Sequence, residues 1–422
     1  GGAAKIAITA SSLFGSISGS TVANVMSTGS FTIPLMKRGG YRPVSAGAIE
    51  AVASTGGQLM PPVMGAVAFL MAEDLQVSYS TVAIAAIVPS VLYYSGLFVQ
   101  ADLEAAREGI SRVDEKLIPR MWPVLKSGWI FIIPFVVLIL ALFSWNFEPE
   151  EAALDAAGLL IILGMAFGYK GRRMTLKDIF WSIVETGILV LDLVMIGAAV
   201  GMIIGILAKS GLGFALTLVL SQLGEGNFGL LLLLAALVCL ILGMGMPTIG
   251  VYVLVAALVA PAMIEVGVSP MAAHMYVLYF GMLSFITPPI CIAAFAAAKL
   301  AGSDPMGTGY VATRFGWSAF VVPILFIFSP SLLLDGTVLE LAHDISTAIF
   351  GVWLVSIGMV GYFRRLLAAA MRFVFAAAGL LLLIPATMFA GAGWTDLAGL
   401  AIGGLIVGRE FLVPKVQPSA AQ

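Results

Sequence analysis

The chain has 422 residues, of which 60% are hydrophobic and 10% charged, with a mean hydropathy of +1.07. Soluble globular domains carry about 25% charged residues, so the composition excludes that class. A formal net charge of −2, without a basic stripe, gives no support for nucleic-acid binding. Several apolar runs exceed the ~18 residues that predict a spanning helix. We therefore expect an all-α polytopic membrane protein in a lipid bilayer.

The first part of the chain predicts interrupted, polar membrane elements. Residues 10–36 are apolar but dense in Ser, Gly and Thr, which predicts a re-entrant helical hairpin with its tip at 18–20. Residues 44–72 predict a helix broken within the motif GGQLMPP, because proline removes a backbone donor and glycine permits a turn. The sequence starts inside an apolar segment without an initiator Met, so further helices are expected upstream.

Apolar runs of spanning length continue towards the C-terminus, separated by charged connectors and followed by a polar tail. Their order predicts a second hairpin and a second broken helix, with ordinary spans between and after the two units. The predicted elements are spans at about 80–100, 127–145, 152–169 and 179–208, an amphipathic piece at 214–223, a hairpin at 229–263, a broken helix at 271–298, and spans at 308–331, 345–363, 371–391 and 397–408.

The residues that interrupt or bound helices in the first half of the chain recur in the second half at a constant offset of 227 residues. Few other side chains agree. Paired Gly/Pro interruptions at corresponding positions of two apolar halves are a sequence sign of a secondary-transport site. The matched residues are Thr21 with Thr248, Pro34 with Pro261, Gly40 with Gly267, Pro43 with Pro270, and Pro61-Pro62 with Pro288-Pro289.

The distribution of charge tests this topology independently. With the loop KRGGYR placed in the cytoplasm, the clearly placed basic residues other than Lys209 fall inside and the acidic connectors fall outside. Five predicted crossings separate the hairpins, so the second copy is inverted relative to the first. The predicted organisation is a first inverted repeat at 1–101, connecting and scaffold helices at 102–208, a second inverted repeat at 209–335, and additional C-terminal helices with a tail at 336–422.

Broken helices in a bilayer indicate a binding site, because an unsatisfied backbone group in hydrocarbon is costly. Freed carbonyls and Ser/Thr hydroxyls suit a dehydrated Na⁺, and helix N-termini suit an anionic substrate group. We expect Na⁺ as the coupling ion and no other cofactor. The candidate Na⁺ ligands are Ser18, Gly19, Ser54, Thr55, Gly56, Gly245, Met246, Gly281 and Ser284. The candidate substrate-binding residues are Ser20, Asn24, Gly57, Gln58, Thr248 and Thr287.

A structural interpretation competes with this one. Pro-Pro kinks packed helices and small residues permit close helix contact, although two inverted copies favour a site. Glu50 is expected in the first turns of its helix, beside interfacial water, and Arg314 is expected to pair with Asp304. Glu185 and Asp192 share one helix face, where they either pair with a basic neighbour or relay protons or ions.

Other classes of membrane protein have less support. An embedded enzyme needs converging nucleophile, base or metal ligands, and the sequence has no HExxH, no GxSxG and only two histidines. A channel needs a ring-forming filter of charged groups or carbonyls, for which we find no repeat. We therefore expect a transporter without enzymatic activity.

Four motifs resemble the large membrane subunit, DctM-like, of tripartite ATP-independent periplasmic (TRAP) transporters. The GMGMP hairpin, with Thr248 where many relatives carry an acid, is similar to the branch with TAXI-type receptors. Members of that branch are often fused four-helix/twelve-helix permeases with extra C-terminal helices. The motifs are SLFGSISGSTVAN…GSFTIPLMKRGGY, ASTGGQLMPPVMGAVAF, GMGMPTIGVYVLVAALVAPAM and SFITPPICIAAFAAAKLAGSDPMGTGY, and they cover most of residues 10–335.

The resemblance implies an elevator mechanism, in which hairpins and broken helices move against a scaffold. It implies Na⁺-driven uptake of a small carboxylate-bearing solute handed over by a TAXI-type extracytoplasmic binding protein. It also implies a small membrane subunit or its fused equivalent, and the bacterial inner membrane as location. The alternative is a receptor-independent, ion-coupled carboxylate symporter or exchanger.

Overall fold

In the computed structural model, residues 1–110, 121–145, 147–389 and 391–412 are described. Within them the regular elements are helices, with two isolated β-bridges at turns, which confirms the all-α class. Six described helical segments are long and apolar enough to cross a membrane. The chain is therefore a multi-pass membrane protein. The tail expected after residue 412 lies outside the described residues.

The helices follow the predicted order. The first ten are α1 (Gly2–Ser18), α2 (Thr21–Arg38), α3 (Pro43–Gly56), α4 (Ala66–Leu75), α5 (Tyr79–Ala85), α6 (Ile87–Arg107), α7 (Met121–Phe143), α8 (Pro149–Ala166), α9 (Leu176–Ser210) and α10 (Leu212–Gly226). The later ones are α11 (Phe228–Gly243), α12 (Thr248–Glu265), α13 (Pro270–Leu283), α14 (Ile292–Ala301), α15 (Pro305–Phe315), α16 (Trp317–Phe328), α17 (Val338–Val360), α18 (Ala369–Leu383) and α19 (Gly393–Leu412).

The first hairpin turns within two residues, as its polar tip predicts. Gly19 ends α1 in the left-handed region at φ 64°, and its N–H donates to the carbonyl of Gly15. Ser20 begins α2, because its hydroxyl accepts from the backbone N–H of Ala23. Glycine is favoured at the left-handed position, since a Cβ is disfavoured there.

The predicted break in the first interrupted helix is confirmed. Helix α3 begins with Pro43 at its first position and ends at Gly56. One 3₁₀ turn, Gly57–Leu59, follows, and regular helix resumes only at α4, after Gly65 at φ 74°. The second interrupted helix has the same form, since residues 284–291 separate α13 from α14. The Pro-Pro peptide bond is cis in both breaks.

The repeat offset read from the sequence appears in the helix boundaries. Adding 227 to the ends of α2 and α3 gives the ends of α12 and α13 without a residue of difference. The glycine between the two helices of each pair also has positive φ, 105° at Gly40 and 97° at Gly267. The matched glycines and prolines at the helix boundaries therefore give both copies the same backbone path.

The two repeats interlock through the second halves of their broken helices. Helix α14, from the second repeat, packs against both α2 and α3 of the first. Lys37 at the end of α2 donates to the carbonyl of Ala301 at the end of α14, at 2.7 Å. In return α4, from the first repeat, packs against α12, where the Tyr252 hydroxyl donates to Asp74 at 3.4 Å. Each repeat thus completes the packing of the other.

The helices outside the repeats divide into exposed and packed groups. Most side chains of α9 are exposed, and the segment is apolar enough to span a membrane. Helix α17 packs against both α6 and α18, and α19 packs against α18. The span expected at 371–391 is shorter than predicted, because α18 ends at Leu383 just before Pro385. The span expected at 397–408 is longer, and Glu410 near its end accepts two bonds of 2.9 Å from Arg365.

Candidate functional site

The closest contacts between the first hairpin and the first break are made by glycines. A Cβ built on Gly57 would lie 2.5 Å from the Cα of Gly15, well inside van der Waals contact. At the tip, a Cβ on Gly65 would lie 2.6 Å from the Cα of Gly19. Backbone therefore meets backbone at both ends of the break, and any side chain at these points would separate the two elements.

Polar side chains fasten the hairpin to the same break. The Asn24 amide of α2 donates to the Ser11 carbonyl at 2.8 Å and to the Ser54 carbonyl at 3.4 Å. Gln58, in the 3₁₀ turn, donates to the Thr21 hydroxyl at 2.6 Å. Its Oε1 atom is buried and has no hydrogen-bond partner in the described part of the chain. An acceptor oxygen in that state has a free place for a cation or a hydrogen-bond donor.

Side chains bind three carbonyls in the last turns of α3, just before the break. The hydroxyl of Tyr93 on α6 donates to the Val52 carbonyl at 2.6 Å, and Tyr94 donates to the Ala53 carbonyl at 2.8 Å. Neither tyrosine is predicted from the sequence, because nothing in their apolar helix indicates what they face. With Asn24 on the Ser54 carbonyl, a run of three carbonyls in α3 is satisfied without an ion.

The other candidates in the first copy differ in their surroundings. Ser18 is exposed, whereas the Ser20 hydroxyl already accepts a hydrogen bond as the N-cap of α2. The buried Thr55 hydroxyl donates within its own helix, to the Ala51 carbonyl at 2.8 Å. Gly56 lies against the Tyr93 ring, where a Cβ would come within 2.3 Å. The structure therefore brings Asn24, Ser54, Gly57 and Gln58 together more closely than Ser18, Ser20 or Thr55.

The second copy shows a similar contact with fewer polar links. A Cβ on Gly243, the last residue of α11, would lie 2.8 Å from the Ser284 hydroxyl and 3.0 Å from the Gly281 carbonyl. The Ser284 and Thr287 hydroxyls donate within their own chain segment, to the carbonyls of Gly281 and Leu283, both at 2.7 Å. The hairpin and the break are again adjacent.

The remaining second-copy candidates lie at the hairpin tip. Gly245 is exposed and in the left-handed region at φ 79°. Met246 is half-buried against the core, and Thr248 is the nearly buried first residue of α12. The tip therefore presents backbone and one hydroxyl, without a charged side chain.

Glu50 is a buried polar centre that the sequence analysis placed wrongly. It was expected beside interfacial water, but it lies in the middle of α3 with no exposed surface. The physical reason is that hydroxyls from the hairpin reach it: Ser11, Thr28 and Thr32 all donate to its carboxylate, as does Ser54. The available signal was an acid in an Ala-rich helix together with hydroxyls four residues apart on α2.

A second prediction about charged partners was also wrong. Arg314 bonds to the buried carboxylate of Glu104 on α6, and Asp304 instead caps α15 through the Gly307 N–H. Asp304 directly precedes the helix that it caps, so the local bond competes successfully with a distant one. Ser45 donates to Glu104 as well, at 2.8 Å, which fixes α3 to α6.

The pair proposed on α9 stays a prediction. Glu185 is exposed on that helix, and the side chain of Asp192 lies outside the described residues. Among the described residues, no group of three or more His, Cys, Asp or Glu side chains could hold a metal ion.

Comparison with known proteins assigns the family. The family model described as "Tripartite ATP-independent periplasmic transporter, DctM component" matches residues 1–339. The chain belongs to the DctM family. The match covers both hairpins and both broken helices and ends at the start of α17.

Curated relatives of this DctM-family chain are named as TRAP permeases. The sialic acid TRAP transporter permease protein SiaT of Haemophilus influenzae is 25% identical over 79% of this chain and 53% of its own length. The C4-dicarboxylate large permease protein DctM of Pseudomonas aeruginosa is 27% identical, over 73% and 70%. The isethionate permease protein DctMQ of Oleidesulfovibrio alaskensis is 27% identical, over 72% and 47%. The chain spans about half the length of the first and third of these relatives.

Proposed function

We propose that this DctM-family chain is the large permease subunit of a Na⁺-coupled secondary transporter that imports a small carboxylate-bearing solute. The observation that carries the proposal is the first hairpin lying on the first break, with Asn24 and Gln58 between them. A buried acceptor oxygen on Gln58 without a partner supports a ligand at that place. A purely structural kink would not require such an oxygen.

Oxygen groups at the two breaks suit Na⁺. Hard cations are bound by carbonyl, hydroxyl and amide oxygens, and the breaks supply these from Ser18, Gly19, Ser54, Thr55 and Gly56 in one copy and Gly245, Met246, Gly281 and Ser284 in the other. Tyr93, Tyr94 and Asn24 already donate to carbonyls of α3. In the first copy we therefore assign ion binding to the hydroxyl groups, the carbonyls of the hairpin tip and the side-chain oxygen of Gln58.

The N-termini of α2 and α12 suit the carboxylate of the solute. Both helices have 18 residues and start at a hairpin tip, beside Ser20 and Thr248. Unpaired N–H groups and the helix dipole there favour an anion. Asn24, Gly57, Gln58 and Thr287 complete the proposed substrate-binding residues.

The larger assembly is part of the proposal. The hairpins and broken helices form a unit that moves as an elevator against helices such as α9. A TAXI-type extracytoplasmic binding protein delivers the solute, and a small membrane subunit or its fused equivalent covers exposed apolar helices. Three relatives are named for sialic acid, C4-dicarboxylate and isethionate, which are acidic solutes, and these names support an anionic cargo. The proposed location is the bacterial inner membrane.

The test is solute uptake by the complete transporter in proteoliposomes. Replacing Na⁺ by K⁺ should abolish uptake, and equal uptake in K⁺ would refute Na⁺ coupling. Gln58→Leu should impair uptake, whereas Ser30→Ala should not, because the Ser30 hydroxyl is exposed and bonds only to its own helix. Omitting the binding protein separates the two transporter types, since a receptor-independent symporter or exchanger would keep its rate.

A further inference from the structure

A ring of hydroxyl groups surrounds the buried carboxylate of Glu50. Ser11 of α1, Thr28 of α2 and Ser54 of α3 donate to Oε1 at 2.7, 2.6 and 3.1 Å. Thr32 of α2 donates to Oε2 at 2.6 Å. An ionised carboxylate is an acceptor only and takes about four such bonds, so the ring fits an ionised Glu50.

Glu50 has no positively charged partner in the described part of the chain. Lys5 of α1 pairs with Asp102 on α6, and Lys37 of α2 donates to the Ala301 carbonyl. A buried charge without a counter-ion is unfavourable, and hydrogen bonds offset this only in part. An ionised Glu50 would give the network one negative charge, which a nearby cation would balance.

The network leads directly to the first break. Ser54, one bond from Glu50, presents its carbonyl to the Asn24 amide, and that amide also holds the Ser11 carbonyl. Thr28 is within bonding distance of both Glu50 and the Asn24 side-chain oxygen. A Cβ on Gly57 would lie 3.3 Å from the same Ser11 carbonyl. The same few hydrogen bonds therefore connect the Glu50 carboxylate to the backbone at the first break.

We propose that Glu50 is a positioning residue for cation binding at the first break. Its charge attracts the cation, and its hydroxyl ring holds Ser54 and Asn24 in place. Glu50 acts through these two residues and is not itself a ligand. The inference rests on the proposed Na⁺ coupling and adds the residue on which the Na⁺ affinity of the first break depends.

The experiment compares Glu50→Gln with the control Ser30→Ala in the complete transporter. Glutamine keeps the shape but removes the charge, and a lost unit charge a few ångströms from a partly buried cation weakens binding about tenfold or more. Na⁺ dependence is measured both from uptake and from the thermal stabilisation that Na⁺ gives the purified complex. Ser30→Ala removes an exposed hydroxyl that bonds to the Ser27 carbonyl of its own helix, and it should leave the Na⁺ affinity unchanged.

The outcomes separate the possibilities. Weaker Na⁺ affinity in Glu50→Gln, with the maximal rate kept at saturating Na⁺, supports the inference. Unchanged Na⁺ affinity overturns it, including the case in which only stability and maximal rate fall, since that is the result of a structural tether. If Glu50→Gln does not assemble, Ser54→Ala cuts the same link, and an unchanged affinity there overturns the inference. A parent without any Na⁺ dependence instead refutes the proposed coupling itself.

Discussion

Replacing Gly57 by Ala tests the contact between hairpin and break. The added Cβ would lie 2.5 Å from the Cα and 2.9 Å from the carbonyl carbon of Gly15, and both are backbone atoms that cannot rotate away. Restoring ordinary van der Waals contact requires the hairpin to move by roughly 1 Å. Overpacking of this kind costs about 1–3 kcal/mol. We expect a lower thermal midpoint of the complex and a loss of uptake.

The matched control is Gly197→Ala, in the exposed helix α9, where a Cβ would meet nothing within 4 Å. Alanine there should be neutral or slightly stabilising, because it favours helix by about 1 kcal/mol over glycine. Unfolding is followed for the purified complex and uptake in proteoliposomes. A Gly57→Ala protein with the thermal midpoint and uptake of its parent would show that the hairpin does not rest on the break.

Three further predictions follow from single contacts. Arg314→Leu should destabilise the complex by about 3–5 kcal/mol, because Glu104 stays buried without its partner; restored stability in the double variant with Glu104→Gln checks the cause. Ser18→Ala should lower apparent Na⁺ affinity in uptake with little change in stability, because the side chain is exposed, and equal Na⁺ dependence removes it from the ligand set. Gly379→Val should separate α18 from α17, where a Cβ would lie 2.6 Å from the Gly351 carbonyl, and protease cleavage between those helices should then increase.

The backbone path of the repeats was predictable because it depends on local residue chemistry. Proline fixes the starts of α3 and α13, and glycine sets the left-handed turn after α1. These effects act within a few residues. The same Gly/Pro pattern recurs 227 residues later, so each copy supports the prediction made from the other. The C-terminal spans were less accurate, because hydropathy alone does not show where Pro385 ends a helix.

Side-chain partners were not predictable, because they depend on which helices become neighbours. Glu50 is buried by hydroxyls from two other helices, and Arg314 finds its partner about 200 residues away along the chain. Tyr93 and Tyr94 donate to the two carbonyls just before the break, and Asn24 donates to the carbonyl of Ser54, a predicted ion ligand. The sequence located the candidate site, but its free acceptors could be told from its occupied ones only after the packing was known.

The exchange of half-helices between the repeats limits how the molecule can change shape. Helix α14 packs against both α2 and α3, and the Lys37 side chain donates a hydrogen bond to the carbonyl of its last residue. We therefore expect a rearrangement at one break to be transmitted to the neighbouring repeat. The packing couples the two halves, so ligand binding at one break should be felt at the other.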